Sequence, residues 1–284
     1  MKATKPRWRR LKRRNLASCE NFLRDREKYC VSACSRFRSR IRGDRFWAYT
    51  GPDGENAALL CCHHRILFPV FAAASSREIP VPRFLGRFIF LNPLHAVQGL
   101  PRVTEIFEKA LAGLGYEKID QFDYDLMSLD REPDPASLRA GPAGLALVKP
   151  EMNDLEEMLP LQAEYDRAEV LPRGSEFKIE NSRLNLSQLI RKEQMLTAKL
   201  DGKIVGKINT NAESFTRFQI GGVYVHPDYR SLGIGRRMIA AFASALFAQG
   251  KAVTLFVKKY NAAARSAYQK VGFELTGDYR ICYY

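Results

Sequence analysis

Arg230-Ser-Leu-Gly233-Ile-Gly235 joins an apolar run, Ile220-Gly-Gly-Val-Tyr-Val225, to Arg236-Arg-Met-Ile-Ala-Ala-Phe-Ala-Ser-Ala-Leu-Phe-Ala248. A strand therefore runs into a glycine loop, and the loop opens a helix. That junction gathers unpaired backbone N–H groups and the positive end of a helix dipole at one point. The chemistry it offers is anion binding, and a diphosphate is the obvious ligand. The spacing differs from the common nucleotide loops: GxxxxGK[ST] is absent, and no GxGxxG follows a strand here.

A second segment carries chemistry. Val253-Thr-Leu-Phe-Val257 reads as a short strand. It leads into Asn261-Ala-Ala-Ala-Arg265-Ser-Ala-Tyr268-Gln-Lys270-Val-Gly272-Phe273. Helix positions three, four and seven apart share a face, so Asn261, Ala264 or Arg265, and Tyr268 would line one side. Small Ala263 and Ala264 would let a ligand approach the backbone, and Gly272 would end the helix.

Together these segments resemble the acyl-coenzyme A loop [RQ]xxGx[GA] and the later NxxAxxxYxxxGF helix of the GNAT acetyltransferases. The matching residues are Arg230, Gly233 and Gly235, then Asn261, Ala264, Tyr268, Gly272 and Phe273. The resemblance runs from about Leu145 to Tyr284, a plausible size for one domain. It implies a mixed twisted α/β (α+β) sheet with helices on both faces. It also implies acetyl-CoA as co-substrate and an N-acetyltransferase moving an acetyl group to a primary amine. Ser231, Leu232, Gly233, Ile234, Gly235 and Arg236 would hold the diphosphate, with charge from Arg230 and Arg236. Val223, Tyr224 and Val225 would offer backbone to the pantetheine arm. Asn261, Ala264 and Tyr268 would complete the coenzyme side.

Each of these residues has a plainer reading. Arg230 and Arg236 could belong to a solvated loop. Gly221 and Gly222 interrupt a good strand, as glycines do at a bulge or a close backbone approach, or simply under an aromatic ring. In the family pattern Tyr268 is the catalytic acid that protonates the leaving thiolate. Otherwise it is a buried aromatic tying helix to sheet. Some family members use a strand glutamate as base, eleven residues before the loop. Here that position is Gln219, which cannot accept a proton. Glu213, Glu176, Glu180 and His226 are the remaining candidates. A non-catalytic acyl-CoA-binding or regulatory module is therefore the alternative function.

The acceptor stays open among protein N-termini, lysines, polyamines, amino acids and antibiotic amines. Its pocket would draw on the loop near Val170–Ser175, helix Leu184–Lys192, the Asn211–Thr216 turn and the stretch near Gly277–Cys282.

Composition bounds the rest. The chain has 284 residues, enough for two domains, and 46% are hydrophobic. Its formal net charge is +14, and the first fourteen residues hold eight Lys or Arg and no acid, so removing those eight leaves +6. Residues 1–15 read as a basic flexible tail, or a surface for nucleic acid or ribosome. The longest apolar runs fall short of a membrane span, and no secretory signal is evident. The six cysteines form no disulfide framework. Cys61-Cys-His-His64 cannot converge on one metal from a strand, whose side chains alternate in direction. The expected compartment is the cytoplasm, with free thiols and no metal.

Helices are expected over Leu16–Lys28, Pro101–Leu114, Asn153–Ala168 and Leu184–Lys192. Strands are expected over Phe46–Tyr49, Ala57–His63, Ile66–Ala72, Arg87–Leu91, Phe122–Leu129, Leu145–Lys149, Gln194–Leu200, Lys203–Asn209, Phe218–Val225 and Val253–Lys258. A last strand pair would turn at Thr276-Gly277-Asp278. Residues 131–144 hold three prolines and two glycines and read as a linker. They would separate an N-terminal α/β domain (16–130) from the C-terminal domain (145–284). The first half reads equally as a distant copy of the second or as an unrelated α/β domain. In the first case Gln98 matches Arg230, and Pro101 and Val103 replace the two glycines. Proline has no N–H to give a phosphate, so that loop would not hold coenzyme A.

Overall fold

The computed structural model describes residues 6–12, 15–39, 43–72 and 79–284. The chain divides into two compact units, Met1–Asp125 with Gly277–Tyr284, and Leu126–Thr276. The boundary thus falls inside two strands rather than in residues 131–144. Those residues fold onto the second unit: the Asp134 N–H donates to the Val271 carbonyl, and Ser137 Oγ donates to the Lys270 carbonyl.

In the first unit β1 (Arg7–Arg10), α1 (Leu16–Arg24) and α2 (Val31–Ser39) precede the strands β2 (Arg45–Thr50), β3 (Asn56–His63) and β4 (Ile66–Phe71). Then come α3 (Leu85–Leu91), β5 (Ala96–Gly99), α4 (Pro101–Gly113) and β6 (Asp120–Leu129). The second unit carries α5 (Pro135–Leu138), β7 (Ala146–Val148), α6 (Leu155–Tyr165), α7 (Ile179–Lys192), β8 (Met195–Leu200), β9 (Lys203–Glu213) and β10 (Arg217–Val225). It continues through α8 (Ile234–Phe247), β11 (Ala252–Lys258) and α9 (Ala262–Val271) into β12 (Glu274–Tyr283).

Four expectations change. Part of the basic tail is a strand: Arg7–Arg10 pairs antiparallel with β2. Trp8 drives this, with its ring 5.6 Å from Tyr49 and its indole N–H donated to the Pro80 carbonyl. Residues 1–5 and 13–14 lie outside the described residues. Arg87–Leu91 is helical rather than extended, because Leu85 and Ile89, four apart, both enter the core. The chain beyond Gly272 is one continuous strand, β12, with no turn at Gly277. Finally, α7 starts at Ile179, a turn earlier than Leu184.

In the first unit β2, β3 and β4 run antiparallel and β5 lies parallel to β4, with α3 between them and α4 after β5. In the second unit β8, β9 and β10 run antiparallel and β11 lies parallel to β10, with α8 between and α9 after. The order of elements is the same. This corrects the match between Gln98 and Arg230. Gln98 lies within the parallel strand β5, one residue from its end, so it corresponds to the end of β11. The counterpart of the glycine loop is the connection 72–84, of which 73–78 lie outside the described residues.

Helices cover both faces of the second sheet. Met238, Ile239, Phe242 and Leu246 of α8 pack with Ile208, Phe218 and Val253. Leu155, Met158 and Leu159 of α6 and Leu186 of α7 pack with Met195 and Ile204 on the other face. Among the described residues no helix is long and apolar enough to cross a membrane, and no group of three or more His, Cys, Asp or Glu could hold a metal ion. All six cysteines are free and buried.

Candidate active site

The site begins where two parallel strands part. β10 and β11 are in register only at Arg217↔Ala252, Phe218↔Val253 and Gln219↔Thr254. Both strands continue, β10 to Val225 and β11 to Lys258, without further pairing to each other. A wedge opens between the two strands, with backbone of both along its sides. Strand backbone can hydrogen-bond an extended, amide-bearing ligand.

At the mouth of the wedge β10 runs through a short turn, Pro227–Tyr229, into the glycine loop. Ser231 has φ 63° and Gly233 φ 81°, so the loop makes two left-handed steps before α8. Gly233 is the N-cap of α8 and supplies no side-chain cap; the first helical bond is Arg237 N–H to the Gly233 carbonyl. The N–H groups of Ile234, Gly235 and Arg236 have no partner within the helix. The first turn carries no acid. This is an anion cradle of nest type. Glycine is required at 233 for two reasons: its φ, and the backbone of Gly141, whose N would stand 2.9 Å from an added Cβ.

The two arginines are committed elsewhere. Arg236 Nε donates to Ser137 Oγ at 2.8 Å, and its guanidinium pairs with Asp134. It fastens α8 to α5 instead of standing free beside the cradle. Arg230 Nε donates to the Val225 carbonyl at 3.0 Å and its guanidinium lies over the Tyr224 ring. It closes the strand-to-loop turn.

The paired glycines of β10 have a specific cause. Gly221 and Gly222 sit at a bulge, where the register with β9 jumps from Gly221↔Asn209 to Tyr224↔Lys207. A Cβ on Gly221 would fall on the Asn211 side chain, and one on Gly222 on Asn209 Oδ1. Gly222 also has φ 61°. The glycines make room for polar side chains of β9, not for an aromatic ring.

Those side chains form a polar row. Lys207, Asn209 and Asn211 alternate along β9 and face one side, the first two buried and Asn211 exposed. Lys207 is fully buried. Its Nζ donates to the Gly222 carbonyl at 3.0 Å and lies 4.4 Å from the Tyr165 ring centroid. Loss of water drives its pKa from 10.5 down to about 7, partly offset by the Asp166 carboxylate. Asp166 accepts from Gln162 and from Ser182. It opens one π-helical turn, Asp166–Val170, at the end of the helix expected over Asn153–Ala168.

A stability prediction follows from the sign of that shift. The unfolded chain holds the Lys207 proton up to about pH 10.5, while the folded chain releases it near 7. Stability should therefore rise with pH above 7, by at most about 1.4 kcal/mol per unit from this group. Burial pushes Cys19 and Cys62 from 9.0 up to about 11, so above pH 9 the unfolded thiols ionise first and stability falls again. Lys207→Met is expected to flatten the slope between pH 7 and 9 in urea unfolding. An unchanged slope would remove Lys207 as its source.

Tyr268 lies on α9 beside the wedge. Asn261 caps that helix, its Oδ1 accepting the Ala264 N–H at 3.1 Å, and Gly272 ends it with φ 111°. Asn261 Nδ2 also reaches Glu169. Ala264 packs against the core and Tyr268 is buried, its ring edge-on to Phe273 at 5.8 Å. Burial first, then the charges of Tyr165 and Glu169, hold its phenol pKa far above the ordinary 10.0. The phenol therefore keeps its proton at any working pH and can only donate it.

The remaining base candidates do not converge. Glu213 pairs with Lys251, Glu176 with Lys178, and His226 accepts the Asp228 N–H at a turn. Glu180 lies exposed in the first turn of α7. Gln219 is buried within the paired part of β10. Around the wedge stand Tyr165, Asp166, Glu169 and Lys207 instead, none of which the motifs point to. Only the polar alternation in Lys207-Ile-Asn209-Thr-Asn211 hints at them, and alone it reads as the wet face of a strand. The stretch Gly277–Cys282 groups with the first unit, where Arg280 pairs with Gly99.

A left-handed glycine loop opening a helix beside a parted parallel strand pair defines an α/β domain with an anion cradle at the mouth of a cleft. Residues 155–273 match the family model for the acetyltransferase (GNAT) family, and the second unit is a GNAT-superfamily domain. Across 98% of its length the chain is similar in fold to a Drosophila protein, at 11% identity, 98% of that chain and a TM-score of 0.67. It is similar to a GCN5-related N-acetyltransferase from Sphaerobacter thermophilus, with 17% identity, 98% and 94% coverage and a TM-score of 0.59. A tandem GNAT protein from the clavulanic acid biosynthesis pathway aligns over 98% of both chains at 13% identity and a TM-score of 0.55. No curated protein matches the sequence. At these identities the likeness is one of fold, and the two-part order of elements agrees with the tandem arrangement.

Proposed function

We propose that the second unit transfers an acetyl group from acetyl-CoA to a primary amine. The observation that carries this reading is the wedge between β10 and β11 opening directly beside the uncapped N-terminus of α8. An extended arm with amides suits the wedge, and a diphosphate suits the cradle. In this reading the N–H groups of Gly233 to Arg236 hold the diphosphate by backbone alone. Arg230 and Arg236 shape the cradle without touching it. Val223, Tyr224 and Val225 border the pantetheine, with Ala264 small enough to let it pass. Ser231 and Leu232 set the loop's curvature, and Asn261 fixes the first turn of α9.

The reaction needs the free amine, since an ammonium has no lone pair. Its nitrogen attacks the thioester carbonyl; the C–N bond forms and negative charge moves to oxygen. Backbone N–H at the β10 bulge meets that charge. The C–S bond then breaks and Tyr268 protonates the departing sulfur, while the nitrogen sheds its extra proton, which restores the Tyr268 phenol. With glutamine at 219, no strand carboxylate takes the amine's proton, so the amine is expected to enter from its free-base fraction.

Calorimetric titration of the full chain with acetyl-CoA tests the donor, and coenzyme A release across amine classes tests the transfer. Expected are saturable binding below millimolar and release that needs an amine. Absent binding would end the reading. Binding without release from any amine class would leave an acyl-CoA-binding module.

A further inference from the structure

We propose that Lys207 is a positioning residue that tunes the backbone donor facing the thioester oxygen: its amine grips the carbonyl of the Gly222–Val223 peptide, and the N–H at the other end of that peptide becomes a stronger donor. This rests on the reading of the second unit as an acetyl-CoA-dependent transferase.

The Gly222 carbonyl and the Val223 N–H belong to one conjugated group. A donor on the oxygen draws charge toward it and makes the N–H more acidic. Hydrogen bonds in a chain polarise one another in this way, most strongly away from water. Lys207 Nζ sits 3.0 Å from that oxygen and is fully buried. The peptide lies outside both ladders: the β11 register ends at Gln219, and the β9 register skips from Gly221 to Tyr224. Its orientation is set instead by the positive φ of Gly222 and by the amine beneath it. A methionine would fill the same volume without desolvating an amine, so packing alone gives no reason for lysine here.

The surroundings bear on the charge of that amine. From α6 and the turn after it come the Tyr165 ring, 4.4 Å away, and the Asp166 carboxylate, which favours the ammonium. From β10 comes Tyr224, whose hydroxyl donates to Glu164 at 2.9 Å. Asn209 stands next on Lys207's own strand, and Thr197 faces it from β8. An ammonium polarises the peptide more than an amine does. Loss of its proton near pH 7 should therefore weaken the Val223 donor.

The test uses acetyl-CoA carrying ¹³C at the thioester carbonyl, bound to the full chain and read by infrared difference spectroscopy. In the wild type the carbonyl stretch is expected below its value in water, with a shift that shrinks as pH passes from 6 to 8. In Lys207→Met the shift should fall by half or more and lose its pH dependence. Acetyl-CoA affinity should stay within about threefold, and turnover should drop about tenfold, less than loss of a whole oxyanion donor. A stretch equal in wild type and variant overturns the proposal, as does a wild-type shift that is flat from pH 6 to 8. The wild-type titration decides even if the variant does not fold. A wild type that fails to bind acetyl-CoA overturns the donor reading and this proposal together; binding with an unmoved carbonyl overturns only the role of Lys207.

Discussion

Tyr268→Phe is expected to lower turnover by about a hundredfold or more while acetyl-CoA affinity stays within about twofold. The substitution removes one oxygen from a ring already buried and packed edge-on to Phe273. The helix that carries it keeps its Asn261 cap and its Gly272 terminus, so the coenzyme side should survive. What is lost is the proton for the leaving sulfur. A phenol with a strongly raised pKa is a weak acid, which taken alone argues against donation. Burial acts on the sulfur in the same direction. A thiolate formed where water is excluded is likewise more basic than in bulk solvent, so it takes a proton more readily. Coenzyme A release at saturating acetyl-CoA, with calorimetric affinity alongside, checks this. Turnover within about threefold of wild type would make Tyr268 a packing residue only.

Which parts of this site could be read from the chain follows from how far apart their causes lie. Gly233 and Gly235 answer to a turn made by their own neighbours, and so does the Asn261-to-Gly272 helix, capped at both ends by its own residues. Local causes leave local patterns. Arg236 sits in the same motif, yet its partners Ser137 and Asp134 lie about a hundred residues away in a stretch that looked like a linker. Lys207 and Asn209 are harder still. Their alternation describes a strand face equally well whether water or α6 covers it, and only Tyr165 and Asp166 decide between the two. Burial also reversed two readings in the first half. Phe-Ile-Phe-Leu suggested a strand by composition, but Leu85 and Ile89 pack as helical neighbours and leave Phe90 and Leu91 exposed. Charge hid the strand at Arg7–Arg10, where the single ring of Trp8 outweighs three arginines.

Gly222→Ala is expected to destabilise the fold by about 2–5 kcal/mol, combining a left-handed backbone for a residue with Cβ and overpacking of a buried site. The two causes separate experimentally. The new methyl would fall on Asn209 Oδ1 and stand 3.1 Å from Lys207 Nζ, while φ at 61° stays costly whatever lies beneath. Asn209→Ala removes the first obstacle. By itself it gives up the bonds from Asn209 Nδ2 to the Thr210 carbonyl and to Asn211, and should cost about 1–3 kcal/mol. Combined with Gly222→Ala it should recover most of the overpacking, so the double variant is less damaged than the two single losses added together. A favourable coupling of about 1–3 kcal/mol in urea unfolding is the expected reading. Strict additivity would mean that Asn209 and the bulge do not touch, and the glycine would then be present for its φ alone. A coupled pair instead ties the stability of the sheet to the same peptide that is proposed to meet the thioester oxygen. Turnover should then stay low in the double variant even as stability returns, because the left-handed step that aims Val223 has been given to a residue that resists it.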